Sequence, residues 1–367
     1  MSAGTASSKR QLLAQALASA LAQFNAGRWP EAEAHARAAL RLAPGDPRAL
    51  NILAGAAMES GHHEEAIPLF KRAVAAEPKS PFLHFNLGEA YRRTQVYAKA
   101  LPSFRRAAAL KPDFAEAIAL AGESLHRIGL EDEAERHFRR ALALAPALPS
   151  ALHGLGVLLL DRGAPGPAAE CLSQGLAATS PDHSLRPSLL ANLGSAHLQR
   201  GDGPRGLQAL AEAVQAAPDN DNLWRLLATS LKDTSTAPDG VDFRTILQRL
   251  FDRPDINPRD LATAAVAILE KDEEIAQLLL DIDANPGEVH AIAEKNAATA
   301  ARLVDDPLFR MLLVNAPVPS ASLELFLVQL RSDLLALLEA SPESRPAELE
   351  LALCLARQSF LNEYVHH

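Results

Sequence analysis

The chain has 367 residues, 48% of them hydrophobic and 5% aromatic, with a formal charge of −9. That is enough apolar material for two domains, and no basic stripe interleaved with aromatics is present to contact nucleic acid. The two cysteines, Cys171 and Cys354, show no CxxC or metal-ligand spacing, and no run of eighteen apolar residues is present to span a membrane.

From residue 13 to 220 one pattern recurs six times with a period of 34. The copies start near Leu13, Pro47, Pro81, Ala115, Pro149 and Pro187. The first is degenerate, with Ala16, Ser19 and Ala20 in place of larger residues, but Gly27, Ala32, Ala39 and Pro44 hold the register. Lys9-Arg10 before residues 12–22 resembles the start of a signal peptide. Gln11, Gln15 and Gln23 interrupt that stretch, and its register with the first repeat favours a repeat helix. The second copy gives Leu53-Ala54, Ala57, Ala66, Phe70, Ala73 and Pro78. The third and cleanest gives Leu87-Gly88, Tyr91, Ala100, Phe104, Ala107 and Pro112. The fourth gives Ala121-Gly122, Leu125, Ala134, Phe138, Ala141 and Pro146. The fifth ends late, at Pro181, and an insertion over 182–186 delays the sixth. A seventh first helix follows, with Trp224, Leu227, Ala228 and Leu231 at the expected offsets. The period then breaks at Ser235-Thr236-Ala237-Pro238-Asp239-Gly240, a loop signal.

Each copy reads as two helices, because apolar residues fall at i, i+3, i+4 and i+7 in both halves. Gly88 with Ala100, and Gly122 with Ala134, mark where paired helices approach closely. Gly61, Gly129, Gly163 and Gly201 fall at the turn between them, where a positive φ is needed. Pro44, Pro78, Pro112, Pro146 and Pro218 stop the second helices. One hairpin cannot bury its own apolar face, so neighbours must stack.

Beyond residue 240 the pattern stays helical. Asn257-Pro258-Arg259-Asp260 is a helix start, with a capping Asn and Pro at the first helical position. Helical apolar spacing continues over 261–269, 275–280, 323–338 and 349–364, and nothing alternates with period two for long enough to form a sheet. An all-α chain is expected, with domains at 11–234 and 241–367. Residues 1–220 carry 23 Lys+Arg against 21 Asp+Glu, whereas residues 221–367 carry 13 against 24, so the second part is acidic.

The 34-residue period, with small residues, an aromatic and a closing proline at fixed offsets, resembles the tetratricopeptide repeat (TPR) family. The resemblance implies a TPR α-solenoid, a right-handed superhelix whose first helices line its inside, followed by a smaller helical domain. It implies a scaffold that takes a protein or peptide partner in the concave groove. In that family, first-helix positions 2, 5, 9, 12 and 13 face the groove. The third repeat then supplies Phe82, Phe85, Glu89, Arg92 and Arg93, with Asn86 beside them. The fourth supplies Glu116, Ala119, Glu123, His126 and Arg127. The second adds Arg48, Asn51, Met58 and Glu59, and the fifth adds Ser150, His153, Val157, Leu160 and Asp161. Two aromatics beside Arg92, Arg93, His126 and Arg127 suit a peptide with acidic side chains or a free carboxylate. The bland alternative is that these charges pair with each other.

Two narrower TPR types fit in part. The chaperone-docking carboxylate clamp finds Asn86 but meets Gly55, Ala119 and Ile52 elsewhere. The glycosyltransferase-type asparagine ladder finds Asn86 and Asn192 but not Ile52, Leu120 or Gly154. The stretch 353–365, with Asp306-Pro307-Leu308 upstream, resembles the helical segment that joins TPR arrays to methyltransferases in some bacterial proteins. The alternative function is therefore the substrate-recruiting region of a methyltransferase or glycosyltransferase whose catalytic domain is absent from these residues.

Two motifs imitate chemistry. Gly201-Asp202-Gly203-Pro204-Arg205-Gly206 spells GxGxxG, but it falls at an inter-helix turn where the dinucleotide fingerprint needs a strand before it. His62-His63-Glu64-Glu65 lies at a helix start, where adjacent residues point in different directions. No catalytic residue, cofactor or metal ligand is expected, nor a nucleic-acid or membrane partner, and the cysteine usage fits a reducing, cytoplasmic setting.

Overall fold

A computed structural model describes residues 2–232 and 242–340, with Leu351 and Leu355. The loop expected at 235–240, Cys354 and the methyltransferase-like stretch at 353–365 lie outside the described residues, Leu355 apart. Among the described residues the secondary structure is helical, with no strand, and no helix is long and apolar enough to cross a membrane. The chain divides into two compact units, 1–179 and 180–367.

The first unit holds five helical hairpins. They are α1 (Ser2–Asn25) with α2 (Trp29–Leu42), α3 (Pro47–Glu59) with α4 (His63–Ala76), and α5 (Pro81–Arg93) with α6 (Tyr97–Leu110). The last two are α7 (Ala115–Arg127) with α8 (Glu131–Leu144), and α9 (Pro149–Asp161) with α10 (Pro165–Ala177). Helix α1 begins well before Leu13, the first position fixed by the period.

Each second helix buries one narrow stripe. Ala66/Phe70/Ala73, Ala100/Phe104/Ala107 and Ala134/Phe138/Ala141 are all buried, and the Phe104 and Phe138 rings are fully so. The small residues let these rings come close to backbone. A Cβ added to Gly88 would lie 2.6 Å from the Phe104 ring, and one added to Gly154 would lie 2.3 Å from Phe138. First helices also pack on one another, α1 on α3, α3 on α5 and α7 on α9, which puts them on the inner side of the stack.

The punctuation follows the period as well. Helices α2, α4, α6 and α8 each end two residues before a proline. The residues between, Ala43, Glu77, Lys111 and Ala145, take φ from −140° to −134° and ψ from 76° to 91°. Proline forbids the residue before it the helical region, so the chain leaves the helix there. The inter-helix turn has positive φ at Gly27, Gly61, Gly129 and Gly163, and at the equivalent third-repeat position Gln95 adopts φ 60°.

The second unit begins with α11 (Arg186–Gln199) and α12 (Gly203–Ala216), a sixth hairpin delayed by the insertion, and α13 (Asp221–Leu231), the seventh first helix. Thus thirteen helices precede residue 232. Trp224 is buried in α13, and its indole Nε1 donates to the Pro218 carbonyl at 2.8 Å. The GxGxxG stretch joins α11 to α12, with Gly201 in the turn at φ 80°. After α14 (Phe243–Phe251), Asn257 caps not an α-helix but a short 3₁₀ turn, Pro258–Leu261, which leads into α15 (Ala262–Leu269). Then come α16 (Glu273–Ala284), α17 (Val289–Lys295), α18 (Ala297–Asp305), α19 (Pro307–Asn315) and α20 (Ala321–Ala340). Asp306 caps α19, accepting from the Leu308 and Phe309 amides, and pairs with Arg244 of α14.

Phe104→Ala should cost roughly 3–5 kcal/mol of unfolding free energy in urea titrations, since the cavity lies at a hairpin's closest approach. Gln95→Gly should instead stabilise by about 1 kcal/mol, because it relieves a left-handed backbone that glycine adopts freely.

Candidate partner-binding groove

All nine candidate residues lie on two first helices of the first unit, α5 and α7, whose inward faces the repeat holds in register. Neighbouring first helices are stitched by side chains 34 or 35 residues apart. The Asn86 amide of α5 donates to Asn51 Oδ1 of α3 at 2.8 Å. Arg93 reaches Glu59 across the same pair of helices at 3.0 Å. Ser150 of α9 donates to Glu116 of α7 at 3.0 Å, and His126 Nε2 meets Asp161 at 2.9 Å.

The cationic residues are brought together but not left open. Arg92 binds Glu89 of its own helix through both carboxylate oxygens at 2.9 and 3.1 Å, and lies 3.5 Å from Glu123 of α7. Arg127 stacks on the Tyr97 ring at 5.1 Å instead of joining Arg92. The expected cationic wall is therefore an internally paired network, because Arg92 finds a carboxylate one turn away, Arg93 one a period away, and Arg127 a ring on the preceding helix. Three other positions carried over as groove-facing, Met58, Ala119 and Leu160, are buried between helices.

Burial governs the electrostatics here. Desolvation alone would lower the Arg92 pKa, but the Glu89 hydrogen bonds and the Glu89 and Glu123 charges hold it above its ordinary value. Burial pushes the Glu116 and Glu123 carboxyls up, against the opposing Ser150 hydrogen bond on Glu116 and the Arg92 charge near Glu123. Burial also pushes the His153 imidazole down to about 4.

Phe85 stacks on Phe114 with centroids 4.9 Å apart and meets Phe104 edge-on at 5.7 Å. Phe82 lies 5.6 Å from Phe114 and remains 56% exposed. The Lys111 ammonium sits 5.3 Å from the Phe82 centroid and 5.1 Å from that of Phe114. Phe114 and Lys111 were not among the sequence candidates, because they belong to the turn between repeats and not to a first-helix groove position. Their signal is the break in periodicity: Ser80 and Leu148 occupy the places equivalent to Phe114, and Glu77 and Ala145 those equivalent to Lys111.

Among the described residues no group of three or more His, Cys, Asp or Glu side chains is arranged to hold a metal ion. His62 and His63 stand at the start of α4, where the sequence places them.

The tetratricopeptide repeat family model matches residues 17–81, 85–149 and 153–221, more than half of the chain. The matches begin 68 residues apart, two periods, and the third is longer by the insertion before α11. The chain belongs to the tetratricopeptide repeat family. Among solved structures it is similar to PilF of Pseudomonas aeruginosa, at 16% identity over 60% of this chain and 99% of that one, with a TM-score of 0.50. It is similar to PilW, a widely conserved type IV pilus biogenesis factor, at 20% identity over 59% and 99%, with a TM-score of 0.51. It also resembles a chain of the Cut9–Hcn1 hetero-tetramer of the APC/C, at 17% identity over 60% and 43%, with a TM-score of 0.53. Identities this low speak to the fold alone. No curated protein matches the sequence.

The His153 shift has a measurable consequence. The folded chain keeps this imidazole neutral where the unfolded chain, with its ordinary value of 6.5, binds a proton. Stability from this group is therefore full above about pH 6.5 and is lost as pH falls toward about 4. Glu116 and Glu123 act oppositely: their raised values favour proton uptake by the folded state and offset part of the loss at the acid end. His153→Gln should flatten the fall in urea-unfolding free energy between pH 6.5 and 4 by up to about 3 kcal/mol. Parallel curves for the variant and the parent would show that the folded imidazole titrates normally.

Proposed function

We propose that the chain is a protein-interaction scaffold, a binding protein and not an enzyme, with a repeat array at 11–234 whose first unit holds an extended segment of a partner protein against its first-helix face. The helices from 241 onward form a separate, acidic part under this reading. One observation carries it: the side-chain bonds Asn86–Asn51, Arg93–Glu59, Ser150–Glu116 and His126–Asp161 tie adjacent first helices at the repeat spacing. A polar face already fixed in place loses little conformational entropy when a ligand arrives. The paired asparagine amides keep further donor and acceptor capacity for a peptide backbone. The carboxylates Glu89, Glu116 and Glu123 are engaged with Arg92 and Ser150, an arrangement that orders a surface.

Arg92 and Arg93 already meet Glu89, Glu123 and Glu59, which argues against them as the cations for the acidic or carboxylate-bearing ligand expected from the sequence. The groove centre recognises the peptide backbone through its amides.

A second reading, recruitment of substrate to a methyl- or glycosyltransferase, draws on Asn86, which stands at the asparagine-ladder place of such arrays and bonds Asn51, one place before Ile52. Reading the gene beyond His367 separates the two: a Gly-rich α/β domain there supports the second.

The test is binding of a partner isolated with the full chain as bait and then purified. The double variant Asn51→Ala, Asn86→Ala should lose about tenfold in affinity, two hydrogen bonds of about 0.5–1.5 kcal/mol each, with helical content unchanged by circular dichroism. Equal affinity for both proteins would place the partner site elsewhere.

A further inference from the structure

We infer that the N-terminal end of α5 and the turn entering α7 form an anchor site for one kind of peptide element: a bulky apolar side chain next to Asp or Glu. The inference rests on the first-helix face being a peptide groove, and adds where and by what chemistry the peptide is pinned.

The aromatic file is rooted in the core. Phe104 is fully buried, Phe85 meets it edge-on, Phe114 stacks on Phe85, and Phe82 packs on the outer side of Phe114. The inner rings hold the outer one, so Phe82 cannot fold away and stays 56% exposed. An exposed aromatic that is rigidly held presents apolar area at low entropic cost, as binding anchors do.

Lys111 supplies the polar half. Its ammonium lies over both outer rings, at 5.3 and 5.1 Å, in cation–π contact. No ion pair to it forms among the described residues, in contrast to Arg92, Arg93 and Arg105, each of which meets a glutamate. A positive charge is thus kept beside an uncovered ring with no carboxylate to meet it. The complementary ligand covers Phe82 with an apolar side chain and brings its own carboxylate to Lys111. Charge complementarity excludes a basic residue at that point.

The register fits the groove beyond. Asn86 is four residues after Phe82 and so lies on the same face of α5, one turn along. A peptide pinned at Phe82 and Lys111 therefore meets the Asn86–Asn51 pair with its next residues. The carboxylate expected of the ligand is placed at Lys111, in the turn between repeats, and not at the arginines.

Selection from a display library of random twelve-residue peptides against the full chain tests this. Peptides that bind should be enriched in an aromatic or aliphatic residue adjacent to Asp or Glu. Synthetic copies should lose about tenfold in affinity on Phe82→Ala, as removal of an aromatic anchor does. Lys111→Met keeps an unbranched apolar side chain beside the rings but removes the charge, so it should abolish the acidic preference, and with it the salt dependence, while apolar selection persists. Binders that lack the pair, or that hold Phe82→Ala and Lys111→Met as tightly as the parent, overturn the anchor. If those binders still weaken on Asn51→Ala, Asn86→Ala, the groove reading survives without it. If no peptide is selected, both readings fall. Circular dichroism and melting of Phe82→Ala should match the parent, since the ring is mostly exposed.

Discussion

Everything here depends on how closely two helices can approach when one offers a ring and the other offers no side chain. Phe138 lies against Gly122 on one side and Gly154 on the other, so a single aromatic closes its own hairpin and seats the next one. Phe104 closes its own hairpin in the same way, against Gly88. A methyl group at either glycine would push into the ring, and a well-packed core cannot yield by that much without shifting a helix. Because the contact recurs every 34 residues, each hairpin takes nearly the same position on its predecessor. Residues one period apart then come within hydrogen-bond reach, and that is the origin of the Asn86–Asn51 and Arg93–Glu59 bridges.

The same regularity explains why the arginines fail as an open cationic wall. A repeat that aligns arginines on successive first helices aligns glutamates with them. Arg92 is thereby placed within reach of Glu123 as well as Glu89, and Arg93 within reach of Glu59. Partly buried charges are costly unless paired, so a solenoid with a desolvated inner face has reason to satisfy them internally. Ligand charge is better met where a residue breaks the repeat and acquires no periodic partner. Lys111 is such a residue.

What the sequence made legible is what periodicity encodes. The helix hairpins, the proline stops, the glycine turns and the buried Phe104 and Phe138 follow from spacing alone, since each is a local requirement repeated in register. The left-handed Gln95 was also implied, lying one period from Gly61 and Gly129, but a glutamine gives no outward sign of it. The choice between open cations and ion pairs was not legible, because spacing along a helix gives a direction and not a rotamer: Arg127 turns to Tyr97 instead of to the groove. Met58, Ala119 and Leu160 were misplaced for a related reason. A family position assigns a face, while burial depends on how close the neighbouring first helix lies. In the second unit the apolar spacing showed helices without their partners, so the link from Arg244 to the cap of α19 could not be foreseen.

Residues that keep the period build the scaffold, and those that leave it distinguish one copy from the next. At the place of Phe82 the other copies carry Arg48, Glu116 and Ser150, and at the place of Phe114 they carry Asp46, Ser80 and Leu148. No other copy from the second to the fifth combines two aromatics with a lysine at these three places. The equivalent hairpins close without counterparts of Phe82 and Phe114, so the outer rings are not what the repeat requires. A cluster that is rigid, partly uncovered and absent from the equivalent turns has the properties of a recognition element, because fixed apolar area beside an unmatched charge selects among ligands at little ordering cost.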